Sequence, residues 1–174
     1  MASKKSSTLK TGDLVQVTIE KVAHGGHFIA RHDGAVIFVR HAIPGEKCTI
    51  QITSTGSSFN RADVVSVEAP SEFRVQAPCS FAHRNGCGGC DFQHISVDHQ
   101  RILKSDVIAE QFSRIAKMEM RVEVEEVGES THWRTRAIAT TDRNGKLGFY
   151  KSRSHSIAPV TDCIICVEGM NFNE

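Results

Sequence analysis

No stretch of this chain is apolar for long enough to cross a membrane as a helix. Its first ten residues, MASKKSSTLK, are basic and serine-rich and lack the apolar core of a secretory signal. No internal repeat is present, and no low-complexity tract follows that start. An excess of one charge is missing too, since 21 Lys and Arg against 20 Asp and Glu leave a net +1. These absences argue against a membrane or exported protein, and the apolar and charged fractions argue against a disordered one. The expectation is a cytoplasmic globular chain of one ordinary domain or two small ones. In a reducing compartment its six cysteines suit metal binding or packing better than disulfides.

The charge is balanced in sum but not in place. Residues 131–160 hold Arg134, Arg136, Arg143, Lys146, Lys151 and Arg153 against Asp142 alone, after a segment rich in glutamate at 119–130. Such a block is either a footprint for phosphate or a solvated sheet face.

Residues 1–8 read as a flexible tail. Period-two alternation then begins at Val15, Val17 and Ile19, as in a half-buried strand. Asp33-Gly34 between two apolar runs signals a hairpin, Pro44-Gly45 marks a turn, and Gly25-Gly26 allow a tight bend or bulge. Cys48, Ile50 and Ile52 alternate in a further strand, and Val64, Val65 and Val67 mark another. Five short strands in about 60 residues imply a small, closed, OB-like β-barrel over 9–69. After a boundary near Ala69-Pro70 come a cysteine loop and one long helix, from about Val97 to Lys117, with Ser96 as its cap and Leu103, Val107, Ile108, Phe112 and Ile115 along one side. Val122 and Val124, Trp133–Thr141, Lys146–Tyr150 and Ile157–Val160 read as strands, with a turn at Asp142–Gly145 and Pro159 favouring an edge. The fold class is therefore mainly β with one long helix, a barrel followed by a loop, a helix and an antiparallel sheet over 70–174.

The cysteines carry the chemistry. Cys79, Cys87 and Cys90 lie in one loop, CSFAHRNGCGGCDFQH, and Cys163 follows much later. Two ligand sets fit. Cys79, Cys87, Cys90 and Cys163 could hold an iron–sulfur cluster, or the pairs Cys87/Cys90 and Cys163/Cys166 could hold zinc. The zinc set leaves Cys79 idle. Gly88-Gly89 between two ligands would free backbone amides to point at sulfur, as clusters require. Cys48 and Cys166 sit among apolar residues and read as packing. His83 and His94 flank the loop as possible substitute ligands.

The loop CGGCDFQH, the helix start DHQRILK, the strand WRTRA and the stretch GFYKSRSHSIAPVTDC together resemble the bacterial class I iron–sulfur RNA 5-methyluridine methyltransferases that act on large-subunit (23S) ribosomal RNA. Residues 9–69, with HDGAVIFVRHAIPGE, resemble the TRAM domain that precedes the catalytic part of many of them. The resemblance implies a [4Fe–4S] cluster on Cys79, Cys87, Cys90 and Cys163, with the first spacing longer than the commonest form and Cys166 outside the ligand set. It implies S-adenosylmethionine (SAM) only in a full-length form, because the Rossmann-like SAM-binding domain is absent from these residues, and none of the six cysteines fits the catalytic nucleophile. The chain alone is thus expected to be inactive, with no catalytic residue of its own. It would be a monomeric RNA-binding portion that grips ribosomal RNA through Arg134, Arg136, Arg143, Lys146, Lys151 and Arg153, with Phe81, Phe92, Trp133 and Tyr150 as candidates for stacking on bases. The other readings are a stand-alone RNA-binding module and a zinc-bound, electron-transfer or redox-sensing protein.

Overall fold

Strand alternation sets the first half of the molecule. In the computed structural model, which describes residues 9–173, strands β1 (Leu14–Ala23), β2 (His27–His32), β3 (Ala35–Arg40), β4 (Lys47–Ser54) and β5 (Asn60–Ala69) close into a barrel of order β1-β2-β3-β5-β4, with β4 pairing back onto β1. The pairs are antiparallel except β3 with β5. The expected tail at 1–8 lies outside the described residues. Inward positions are apolar and sealed: Ile19, Phe28, Ile37, Val39, Cys48, Ile50 and Ile52 are all 1 % exposed or less. Cys48 is a packing residue, and burial pushes its thiol up to about 12. Asp33 and Gly34 both take positive φ, as the expected hairpin turn needs. Gly26, at φ +75, also has no room for a side chain, because a Cβ there would stand 2.6 Å from the Asp91 carboxylate.

The chain after the barrel is fastened onto it. Glu46 is fully buried and accepts from the Ile43 and Ser71 backbone N–H groups and from Arg74, whose guanidinium lies 2.6 and 2.7 Å from its two oxygens. Arg40 donates twice to Asp91, and the His94 ring meets the Ala42 carbonyl at 2.9 Å. Ile95 and Leu103 continue the barrel's apolar core into the loop and helix.

Helix α1 runs Val97–Gln111 and ends in a π-helical turn, Phe112–Ala116, closed by Lys117 in the left-handed region. Leu103 and Val107 pack on the barrel as the spacing predicted, whereas Ile115 is 71 % exposed. The expected Ser96 cap is not made. Ser96 occupies the N-cap position without a side-chain hydrogen bond, and the Gln100 amide instead donates to the carbonyls of Phe92 and Ile95.

The second half departs further from expectation. The Val122/Val124 alternation forms no strand. That segment runs along α1, with Ser105 donating to the Val122 carbonyl and Arg121 paired with Asp106, so its period-two pattern marks one side leaning on a helix. Of Trp133–Thr141 only β6 (Thr140–Thr141) joins the sheet. Arg134 meets the 163–167 loop, its N–H donating to the Ile165 carbonyl and its own carbonyl accepting from Val167. β7 (Leu147–Tyr150) and β8 (Ile157–Pro159) complete an antiparallel sheet of order β6-β7-β8, with Pro159 on an edge strand as expected. A second apolar cluster of Val160, Cys166 and Phe172 packs against it. No helix among the described residues is long and apolar enough to cross a membrane.

Candidate metal centre and nucleic-acid interface

The Gly-rich loop meets the sheet at one point. The Gly88 N–H donates to the Tyr150 carbonyl at 3.0 Å, and a Cβ on Gly88 would stand 2.5 Å from the Ser152 nitrogen. This contact seats the loop against the end of β7, the strand that pairs with β8, after which the chain reaches Cys163. Cys79, Cys87, Cys90 and Cys163 line one cavity, walled also by Phe81, Phe149 and Val160. The space measures about 20 Å³, so its walls must part to seat anything larger than a water. The Gly89 N–H lies 3.4 Å from the Cys87 sulfur, and the Cys79 N–H donates to the Gln93 side chain. Burial, with the neighbouring sulfurs adding, pushes the Cys87 and Cys90 thiols up.

Among the described residues, no three or more His, Cys, Asp and Glu side chains converge as a ligand set for a single metal ion. Cys166 does not line the cavity. It is 2 % exposed beside Cys163, and burial raises its thiol to about 11. His94 is turned to the barrel, and His83 bonds the Arg84 carbonyl, so neither stands in the cavity wall.

The six basic residues do not form one patch. Arg143 and Lys146 sit in the β6–β7 turn, where Asp142 accepts from the Asn144 and Lys146 N–H groups. Lys151 and Arg153 lie past the other end of β7. Arg134 lies with its guanidinium 5.1 Å from the Trp133 ring, and Arg136 is exposed. Of the candidate stacking rings, Phe81 is committed to the cavity wall and Phe92 to Phe28, at 5.6 Å between centroids. Trp133 and Tyr150 are 55 % and 54 % exposed.

A groove of about 430 Å³ between the barrel and the β7–β8 turn gathers Lys151 and Arg153 with His27, Phe38 and Arg61. The basic-block reading missed its barrel wall. The signal was present: Phe38 stands between the inward Ile37 and Val39, so the alternation places a large aromatic on the outer face, opposite Arg61 on β5.

The molecule is a closed five-stranded barrel carrying a cysteine loop, helix and small sheet, and residues 9–65 match the TRAM domain family. The chain is 41 % identical, over 92 % of its length, to an uncharacterized RNA methyltransferase of Streptomyces coelicolor, and 35 % identical over 97 % to one of Corynebacterium diphtheriae. It spans 38 % and 40 % of those proteins. In fold it is similar to a tRNA (uracil-54, C5)-methyltransferase of Pyrococcus abyssi solved with S-adenosyl-L-homocysteine, with a TM-score of 0.57 over 87 % of this chain and 33 % of that one, at 17 % identity. The chain thus carries a TRAM domain and, beyond it, residues shared with proteins named RNA methyltransferases.

Proposed function

We propose that this chain is the N-terminal, RNA-gripping portion of a SAM-dependent RNA uracil-C5 methyltransferase acting on large-subunit ribosomal RNA, with a [4Fe–4S] cluster on Cys79, Cys87, Cys90 and Cys163. One observation carries the cluster assignment: three thiols of a single loop and a fourth from 73 residues after Cys90 line the same cavity. Cys79 belongs to that wall and Cys166 does not, which favours the first ligand set over the paired zinc set. The TRAM domain and the relatives' names support RNA as partner, and a cluster here would tie the loop to the sheet. The chain's own residues supply thiolate donors and, at Gly89, an amide directed at sulfur.

The test is anaerobic purification with iron, sulfide and zinc analysis beside visible absorption. Brown protein with iron and sulfide is expected, with the colour lost in Cys87→Ser and Cys163→Ser and retained in Cys166→Ser. Stoichiometric zinc without iron overturns the cluster.

A further inference from the structure

The groove between barrel and sheet has an unusual charge balance. Arg61, Lys151 and Arg153 have no carboxylate partner among the described residues. Arg40, at its floor, is already held by Asp91 at 2.8 Å. The single acid in the wall, Asp63, is half-buried, and burial pushes its carboxyl up, which weakens its hold on the negative form. Arg153 is close enough to oppose the protonation of His27 and the charge of Arg61. Cations gathered across a seam against one half-buried acid leave an excess of positive charge that favours an anion from outside.

Beside these charges lies an aromatic surface. Phe38 and Phe59 meet edge to face at 5.1 Å and 89°, and His27 meets Phe38 edge-on at 6.1 Å. The Arg61 guanidinium stands 4.9 Å from the Phe59 centroid and 6.0 Å from that of Phe38. Phe59 is 38 % exposed. A guanidinium plane on exposed rings offers both a cation and a flat surface.

We propose that this seam is a one-nucleotide subsite for single-stranded RNA, its phosphate held between Arg61 of the barrel and Lys151 and Arg153 of the β7–β8 turn, its base laid on the Phe38, Phe59 and Arg61 surface. The proposal deepens the RNA-binding reading above and rests on it. Phosphate with an unpaired base is the ligand that uses both halves, since an acidic peptide would leave the rings idle and a paired duplex would hide its base faces. The subsite exists only while barrel and sheet are docked, so one bound nucleotide would hold the two together.

The full chain is titrated with a short fluorescein-labelled oligouridylate, read by anisotropy over a range of salt. Arg61→Ala and Lys151→Ala/Arg153→Ala should each weaken binding about tenfold or more and, because one phosphate is neutralised, lower the salt slope by at most about 0.7. Arg61→Lys should keep the slope and lose part of the affinity, and Phe38→Leu should lose affinity without altering the slope. Arg61→Ala and Arg153→Ala should combine less than additively, because both face one phosphate. Arg114→Ala, in the turn that ends the helix and outside the groove, should change affinity less than about twofold. Unchanged thermal unfolding of the seam variants establishes that they fold. Wild-type affinity in those variants overturns the subsite and leaves RNA binding standing. Equal affinity for inorganic polyphosphate overturns the base surface, and an oligouridylate that the wild-type chain does not bind overturns both readings.

Discussion

Glu46 is the residue on which three segments converge. Its carboxylate has no exposure, and it satisfies the Ile43 amide, the Ser71 amide just past the barrel and Arg74 beyond. Removing one member of a buried ion pair strands the other, a loss of about 3–5 kcal/mol. Glu46→Ala should therefore lower unfolding stability by about that amount in a urea titration; a loss below about 1 kcal/mol would show that the contact is dispensable. Histidines govern the response to acid. Burial, with Arg40 next, holds His41 down at about 3 from its usual 6.5, and burial lowers His94 and His27 as well. As pH falls below 6.5 the unfolded chain takes protons that the native state refuses, so stability declines with falling pH. The urea midpoint should already drop between pH 7 and about pH 5, before most carboxylates titrate. His41→Asn, which tolerates the φ of +63 at that position, should flatten the decline.

At the scale of elements, the decisive join is the Gly88 turn against the end of β7. A side chain there meets backbone on the facing segment, which cannot yield as a flexible side chain would. If the cavity takes up a cluster, Gly88→Ala should keep all four thiols in the chain yet push the loop away from its seat and lower iron content severalfold. Iron equal to wild type would separate the loop's packing from metal binding. The elements also differ in how far sequence exposed them. The barrel was readable because its strands are contiguous, alternate cleanly and turn at residues such as Asp33-Gly34 that permit few other conformations. The sheet strands around β7 and the edge position of Pro159 were readable for the same reason. Residues 117–139 were not. Alternation at Val122 and Val124 is silent about what it packs on, and here the neighbour is α1 rather than a strand. The helix starts at Val97 as expected, but Ser96 makes no side-chain cap, and the Gln100 amide one turn inside ties the helix to the Phe92 and Ile95 carbonyls of the preceding loop, a contact that no N-cap pattern anticipates. The cysteine quartet was visible as spacing and is gathered on one cavity. The Phe38 and Arg61 pair is legible only through the barrel's alternation, since a run of charge along the chain says nothing of a cation carried on a neighbouring strand.

Over the whole molecule, two apolar cores meet through polar fastenings and the cysteine cavity. The barrel core continues into α1, while Val160, Cys166 and Phe172 anchor the sheet with Cys87 and Cys163 packed on them. If a cluster joins the loop to the sheet, chelating its iron should raise hydrogen exchange in β7 and β8 and leave β1 to β5 protected. Uniform exchange across both cores would mean that the metal holds nothing together.

The barrel's strands are contiguous from Leu14 to Ala69, whereas the thiol quartet begins at Cys79 and is completed only at Cys163. During synthesis the barrel strands can therefore pair before the last sulfur emerges, once Ser71 and Arg74 are out to satisfy Glu46. An iron-loading apparatus would have to wait for the last sulfur, and in the interval the loop thiols would stand open to oxidants. If the quartet takes up iron, starvation for it should accordingly yield chains with a sound front and an unfinished rear, rather than wholly unfolded ones.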